Sequence, residues 1–183
     1  YNSYYYINWK VSNHMSTLSV DTIQGQTTAG NVKLPAGCVL QTVQGTLSAV
    51  TVTSTTFADV GTVSITPKYN TSKILVSFTN HIYVTENSSD AWRGTNTRLL
   101  RDSTVVFGDG ASEYGHGQYQ ENNTQRYMAY QTRSFLDSPA TTNAVAYKIQ
   151  ANSIAGLVNC LYNNASYGSG GNMTLMEIAQ WVL

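Results

Sequence analysis

Charged side chains are scarce in this 183-residue chain. Lys, Arg, Asp and Glu make up only 11% of the residues, and ten basic and ten acidic side chains cancel to a net charge of zero. An average soluble domain is about 25% charged. The chain therefore has no basic excess for binding nucleic acid or an anionic membrane surface, and neither partner is expected. A net charge of zero also leaves little repulsion between copies, which favours association.

Cysteines and long apolar runs are scarce as well. Cys38 and Cys160 both have apolar neighbours, which is typical of two buried thiols or of one disulfide, and neither belongs to a metal or redox motif. No run approaches about 18 apolar residues, and no leader peptide with a basic and an apolar region is recognisable, so no membrane insertion is expected.

What the chain does contain is a series of short apolar runs that alternate with hydroxyl and amide residues. In residues 72–85 the even positions from Ile74 to Val84 are apolar except for Asn80, and the odd positions are mostly polar, which is the pattern of a strand with one buried face. No segment has a long 3.6-residue period. We therefore predict an all-β fold, an antiparallel two-sheet sandwich resembling a jelly roll. The predicted strands are 38–53, 61–66, 72–85, 97–101, 104–107, 125–136, 143–151, 156–162 and 172–180.

The first part of the chain differs from the rest. Residues 1–36 are predicted to form an extended N-terminal arm and linker, and residues 37–183 the sandwich domain. Four aromatic residues of the arm, Tyr4, Tyr5, Tyr6 and Trp9, are suited to anchoring it, because aromatic rings bury a large area at low entropic cost. The arm packs either on its own domain or on a neighbouring subunit.

Three long loops are predicted, at 85–96, 108–124 and 162–171. Aromatic residues that we assign to such loops, Tyr83, Trp92, Tyr114 and Tyr119, have Asn and Gln nearby, as expected of a surface that binds a host glycan or protein. Flat rings cover the apolar faces of sugars, and amides bond their hydroxyls. The alternative is that these rings close the core or a subunit interface.

Catalytic chemistry has little support in the sequence. No nucleophile elbow, phosphate-binding loop, zinc-protease motif or dinucleotide fingerprint is present. A metal site could be drawn from Asp109, Glu113 and His116, but a solvated loop is the stronger interpretation. A glycosidase would need two converging carboxylates, for which the candidates are Asp90, Asp109, Glu113, Glu121 and Asp137. We predict no catalytic residue, no metal and no cofactor.

Short motifs follow one another along the chain at a recognisable spacing. They are STLSVDTIQ at 16–24, VKLPAG at 32–37, VLQTV at 39–43, VSITP at 63–67, SKILV at 72–76, RLLRDST at 98–104, SFLDSP at 134–139, YKIQ at 147–150 and MTLMEIAQ at 173–180. In this order they resemble virion structural proteins of tailed bacteriophages, notably marine ones. The resemblance covers about residues 15–180 and implies a tail-fibre or other surface-appendage domain, often trimeric, on the virion surface.

These observations lead to one main expectation and two alternatives. The main expectation is a non-enzymatic virion protein whose partners are identical copies in a homotrimer or higher array, other virion proteins and a host surface. Edge strands of a sandwich pair with other chains unless they are covered, which agrees with assembly. The first alternative is a capsid decoration or cement protein that docks through its aromatic arm. The second is a carbohydrate-active enzyme.

Overall fold

A computed structural model describes residues 34–85, 91–108, 116–120, 126–154, 159–164, 166 and 170–180, and for residues 91–93, 116–120 and 159 it describes the backbone alone. All regular structure in these ranges is β-strand. The strands are β1 (Val39–Leu47), β2 (Val50–Val52), β3 (Ala58–Ile65), β4 (Lys73–Thr85), β5 (Ala91–Arg101), β6 (Thr104–Gly108), β7 (His116–Gln120), β8 (Arg126–Asp137), β9 (Val145–Ser153), β10 (Asn159–Tyr162) and β11 (Gly171–Ile178). Within the described part of the chain, no helix has the length and apolarity needed to cross a membrane.

The strands form two antiparallel sheets. In sheet 1, β10 and β11 pair with successive parts of the same edge of β4, β8 pairs with the other edge, and β1 and β2 pair with β11 and β10. In sheet 2, β9 lies between β3 and β5, and the free edge of β5 carries β6 and β7. Each sheet is thus four strand positions wide, and a slash marks two short strands that share one position. The orders are β1/β2–β11/β10–β4–β8 and β3–β9–β5–β6/β7. This is the eight-strand order of a jelly roll, so the predicted fold class is confirmed.

The core lies between the two sheets and consists of the side chains that alternate inward. Even-numbered residues of β4, such as Ile74 and Phe78, are buried as the period of two predicts. They pack in one apolar cluster with Tyr147 and Ile149 of β9 and Leu175 of β11. The buried apolar cluster therefore includes the runs whose alternation was clearest in the sequence.

Two of the predicted loops contain strand. β5 begins at Ala91, inside the predicted loop 85–96, and β7 lies inside the predicted loop 108–124. The two segments pair with each other, from Ala91 opposite Gln120 to Thr95 opposite His116. Such pairing satisfies the backbone hydrogen-bonding groups of a polar, glycine-containing segment. The segment has no apolar alternation from which a strand could be predicted. The loop prediction was wrong at these positions for that reason.

Between β10 and β11, which pair with successive parts of β4, Asn163 makes the hydrogen bonds to β4. Its backbone is left-handed, with φ of 53°, and its N–H donates to the carbonyl of His81 at 2.8 Å. Its Oδ1 accepts the N–H of His81 at 3.1 Å, and its Nδ2 donates to Asn80 Oδ1 at 3.3 Å. One side chain therefore takes the place of the strand backbone where the chain leaves the sheet, before it returns at Gly171.

Both cysteines are free thiols, so of the two alternatives the disulfide is not formed. Cys160 is buried, whereas Cys38 is half-buried. Burial raises the pKa of the Cys160 thiol to about 12. This thiol is therefore protonated and unreactive at neutral pH, like a small apolar core residue.

Candidate contact surface

The outward side chains in the middle of sheet 1 form an uncharged surface, which lies between two charged outward positions, Lys73 at the start of β4 and Arg126 at the start of β8. Pairing aligns them in rows across the four strands, for example Gln44, Thr174, Ser77 and Ser134 from edge to edge. We call this surface the hydroxyl face. It consists of Thr42, Gln44, Thr46, Leu75, Ser77, Thr79, Met128, Tyr130, Thr132, Ser134, Leu136, Asn172, Thr174 and Met176. None of these residues carries a charge.

Hydroxyl groups bridge the strands on this face. Thr79 Oγ1 and Thr132 Oγ1 are 3.0 Å apart, and Ser134 Oγ donates to Ser77 Oγ at 3.2 Å. Each hydroxyl has one donor and two acceptor lone pairs, so these contacts leave hydrogen-bonding capacity at the surface. The middle of the hydroxyl face is therefore able to hydrogen-bond a partner without any ionic group.

Large apolar side chains are exposed on the same face. Met128, Tyr130 and Leu136 of β8 are 60%, 61% and 46% exposed. The Tyr130 ring lies beside the buried His81 ring, with their centroids 5.0 Å apart. Apolar groups on an edge strand are a common point of contact with another chain. Here all three lie on β8, on either side of Thr132 and Ser134 along the strand.

The outward face of sheet 2 has the opposite character. Lys148 Nζ lies 2.9 Å from Asp59 Oδ2, and Gln150 Nε2 donates to Asp59 Oδ1 at 2.7 Å. Arg98 donates from Nη2 to Gln150 Oε1 at 2.7 Å, and its guanidinium lies 3.9 Å from the centroid of the Phe57 ring. The hydrogen bond from Gln150 and the contact with Lys148 lower the pKa of Asp59. Sheet 2 thus presents an ionic network of the kind that faces water.

The structure separates the aromatic residues that we assigned to host binding. Tyr83 lies in β4 and is only 4% exposed, so its assignment to a surface loop was wrong, because the strand continues through it. Trp92 and Tyr119 lie opposite each other on β5 and β7, which makes them neighbours along the backbone of sheet 2. Tyr114 and the arm residues, Tyr4, Tyr5, Tyr6 and Trp9, lie outside the described residues.

The carboxylates that we considered for catalysis are similarly divided. Asp137 ends β8 and is 7% exposed, and both of its oxygens accept Arg101 Nη1 at 2.9 Å. The hydroxyl of Tyr147 donates to Asp137 Oδ2 at 2.7 Å, and burial together with this carboxylate raises the pKa of Tyr147. Since Arg101 and Tyr147 belong to sheet 2, Asp137 joins the two sheets. The other four carboxylates, Asp90, Asp109, Glu113 and Glu121, lie outside the described residues.

Glu177 is a buried carboxylate that the sequence analysis did not single out. Its Oε1 accepts the backbone N–H groups of Lys68 at 2.8 Å and Tyr69 at 3.3 Å, and its Oε2 accepts Gln41 Nε2 at 2.6 Å. Position 177 continues the inward series of β11, in which Met173 is buried. The period of two therefore placed this acid in the interior, where it fixes the loop after β3.

Two buried amides face each other across β4 and β8. Asn80 lies opposite Gln131, and both side chains are buried. In the part of the chain that the structure describes, neither Gln131 Oε1, Gln131 Nε2 nor Asn80 Nδ2 has a hydrogen-bond partner. An unpartnered buried amide costs about 1–3 kcal/mol, so this pair lowers the stability of the sandwich.

Metal-binding chemistry has no support among the residues that the structure describes, where no three His, Cys, Asp or Glu side chains come together. Of the metal candidates in the sequence, Asp109 and Glu113 lie outside these residues, and His116 is described only by its backbone in β7.

Comparison with known proteins adds no functional information. No protein-family model and no curated protein matches the chain. Among solved structures it is similar to dimeric latent PorU from Porphyromonas gingivalis, with a TM-score of 0.32 and 10% identity over 80% of this chain. It is also similar to a chain in the structure of infectious bursal disease virus Gx strain, with a TM-score of 0.28 and 12% identity over 78% of this chain. The chain spans only 14% and 32% of the lengths of those two chains.

Proposed function

We propose that this chain is a non-enzymatic structural protein of a bacteriophage virion, most simply a tail-fibre or appendage domain on the particle surface. The ordered motifs support this assignment, and several of them coincide with structural features of the sandwich. RLLRDST covers the end of β5, the turn at Asp102 and Ser103, and the start of β6, while SFLDSP covers the end of β8. The motifs are therefore those of a scaffold, as expected of a protein that works by contact.

The hydroxyl face is the observation that carries the proposal. It is uncharged between Lys73 and Arg126 and carries exposed apolar side chains on β8, whereas the opposite face of the molecule carries an ionic network. An enzyme would need reactive groups converging in a cleft. The buried carboxylates Asp137 and Glu177 instead hold the sandwich together.

Host attachment is assigned to the edge of sheet 2 formed by β5 and β7. Backbone pairing places Trp92 opposite Tyr119 there. Neighbouring aromatic residues are suited to stacking on sugar rings. The partners in this proposal are other virion proteins, identical copies and a host surface glycan or protein.

The location of the chain in a particle tests the proposal. Particles of the encoding phage are purified through a density gradient, digested for mass spectrometry, and labelled with an antibody raised against the full chain. We expect the chain in the particle fraction and label at the tail. Label spread over the icosahedral shell would instead support the decoration protein, and absence of the chain from purified particles would overturn a virion role.

Competition with infection tests the attachment assignment. Excess full-length chain should slow phage adsorption to host cells, and the double variant Trp92→Ala, Tyr119→Ala should lose at least tenfold in potency. The matched control is Thr62→Ala, an exposed substitution on β3 at the far edge of the same sheet. Equal potency of the double variant and the control would count against host contact at β5 and β7.

A further inference from the structure

The outer strand β8 differs from the other outer strands in the described part of the sandwich. It pairs with β4 through twelve consecutive residues, from Arg126 to Asp137, without a register shift, and it contains neither proline nor glycine. The ladders of β1, β3 and β6 each contain a register shift, and β2 and β7 are only three and five residues long. Bulges and short length are common means by which edge strands avoid pairing with other chains. β8 has neither.

The even-numbered residues of β8 direct their backbone groups away from the sheet. On β4, the N–H and the C=O of His81 both bond Asn163, which lies on the side of β10 and β11. Backbone groups of successive strand residues point in opposite directions, so those of Asn80 face β8 and bond the opposite residue, Gln131. The even-numbered residues of β8 therefore have N–H and C=O groups at the open edge. In the part of the chain that the structure describes, no strand pairs with that edge.

We infer that this open edge pairs with the same edge of a second copy, antiparallel and about a two-fold axis, so that two copies of sheet 1 join into one sheet. The inference rests on the proposed structural function and names the surface and the partner that would serve it. An axis at Gln131 uses every even-numbered position of β8, pairing 126 with 136, 128 with 134 and 130 with 132 of the other copy. Each pair occurs twice, which gives about twelve hydrogen bonds.

The side chains agree with this register. Tyr130 comes to lie opposite Thr132, and such a pair of an aromatic and a β-branched residue stabilises a sheet. Met128 lies opposite the small Ser134. Leu136 lies opposite residue 126, an arginine whose aliphatic stem can cover it. Met128, Tyr130 and Leu136 are 60%, 61% and 46% exposed in the single chain, so the large apolar side chains of the edge gain cover on pairing.

Among the described residues of this edge, no charge lies opposite another. Arg133 lies opposite Ala129 of the second copy. Arg126 lies two strands and two residues away from Lys73 of the second copy, which is about 12 Å. This distance exceeds the Debye length of about 8 Å at physiological ionic strength, so their repulsion is largely screened. Gln131 at the axis is uncharged and already buried within one chain, so the contact does not depend on its amide.

The contact is long and narrow. Residues 126–136 rise about 3.4 Å each and span about 37 Å, and main-chain hydrogen bonds supply most of the affinity, as in other cases of strand addition. Small interfaces lie at the weak end of specific association, so we expect pairing in the micromolar range. A two-fold contact gives an even number of copies, whereas a homotrimer would need a different contact.

Analytical ultracentrifugation of the full chain from 1 to 200 µM tests the inference. We expect the wild type to approach twice its 20.0 kDa chain mass. Thr132→Pro removes an N–H that points to the open edge, which an edge strand tolerates, and should weaken pairing at least tenfold. Thr132→Ala is the matched control, because it loses the same hydroxyl and keeps the N–H, and it should pair within about threefold of the wild type. Circular dichroism verifies that the variants fold.

Disulfide trapping tests the register without the proline variant. In a Cys38→Ser background, chains with Met128→Cys should cross-link to chains with Ser134→Cys under mild oxidation. The reason is that opposite, hydrogen-bonded residues have Cα atoms about 5.5 Å apart, which a disulfide can bridge. Either variant alone should not cross-link, because its two identical positions lie about 20 Å apart in this register.

Several results would overturn the inference. They are a monomer or a trimer at 200 µM, pairing of Thr132→Pro equal to that of the wild type, or cross-linking of one cysteine variant alone equal to that of the mixture. A monomeric wild type that binds a synthetic peptide of residues 16–23, with loss of binding in Thr132→Pro, would assign the edge to the arm instead. If Thr132→Pro does not fold, the cross-linking result decides.

Pairing and location are independent measurements. Absence of pairing in a chain that is found on particles removes only this inference. Pairing by a chain that is absent from particles removes only the virion role.

Discussion

Replacing Gly171 by Ala should destabilise the sandwich strongly, whereas the same change at the neighbouring Gly170 should not. A Cβ on Gly171 would overlap Asn163 Oδ1 and lie 2.6 Å from the carbonyl oxygen of Thr79, which belongs to the backbone of β4 and cannot rotate away. A Cβ on Gly170 meets nothing within 4 Å. The two positions therefore share the chemical change and differ only in their surroundings.

The magnitude follows from what Asn163 would lose. If its side chain moves aside, the hydrogen bonds from His81 N–H at 3.1 Å and to Asn80 Oδ1 at 3.3 Å are lost. Two such bonds are worth about 1 kcal/mol each, and leaving the buried His81 N–H without a partner adds about 1–2 kcal/mol. We expect Gly171→Ala to lower the free energy of unfolding by about 3 kcal/mol. Gly170→Ala should change it by less than about 0.5 kcal/mol, or raise it slightly by restricting the unfolded chain.

Urea unfolding, followed by tryptophan fluorescence and circular dichroism, measures both variants against the wild type. A third variant, Asn163→Gly, keeps the left-handed backbone and removes the side chain. If Asn163 is the obstruction, the double variant Gly171→Ala, Asn163→Gly costs less than the sum of the single changes. Equal stability of the two alanine variants, or strict additivity in the double variant, would refute this reasoning.

Three further results are expected. Glu177→Gln should cost about 1.5–3 kcal/mol in the free energy of unfolding, because an amide must turn an N–H toward groups that are all donors; no loss in urea unfolding would mean that these donors have other acceptors. Gln131→Met should raise the free energy of unfolding by about 1–3 kcal/mol, because it removes a buried amide without a partner; a loss in the same assay would reveal a partner in solution. At pH 8, iodoacetamide should label Cys38 far faster than Cys160, by peptide mass spectrometry, because burial raises the pKa of Cys160 to about 12. Equal labelling of the two thiols would contradict the burial of Cys160. The Cys160 thiol ionises at lower pH in the unfolded chain than in the folded one, so its contribution to the free energy of unfolding is complete below about pH 8.5 and declines above that pH.

The sequence was most informative where apolar and polar residues alternate. Residues 72–85 predicted β4 and its buried face because Ile74, Val76 and Phe78 recur at every second position, with mostly polar residues between the even positions of the run. The turn between β5 and β6 was predicted because Asp102 and Ser103 interrupt two apolar runs, and Asp102 does adopt a left-handed backbone with φ of 52°. Where the period of two was strong, strand bounds agreed within a few residues.

The contact surface could not be predicted in the same way. Its residues come from four strands that are distant in sequence, and a Thr at position 132 looks no different from a solvated Thr until pairing places it beside Thr79. β7 was missed because His116–Gln120 is polar, and its partner lies in a segment without alternation. Glu177 could have been found, because the inward positions of its strand include Met173 and Leu175.

The position of β11 has a consequence for how the protein is made. This strand lies between β1 and β4, at the centre of sheet 1, yet it is the last strand of the sandwich to leave the ribosome. Until it emerges, β1 and β4 have no partner between them and their backbone groups face water or other nascent chains. Synthesis proceeds at about 5–20 residues per second, so this sheet completes only after translation has passed the final strand. Ribosomes stalled before Gly171 should therefore hold chains that a protease digests rapidly.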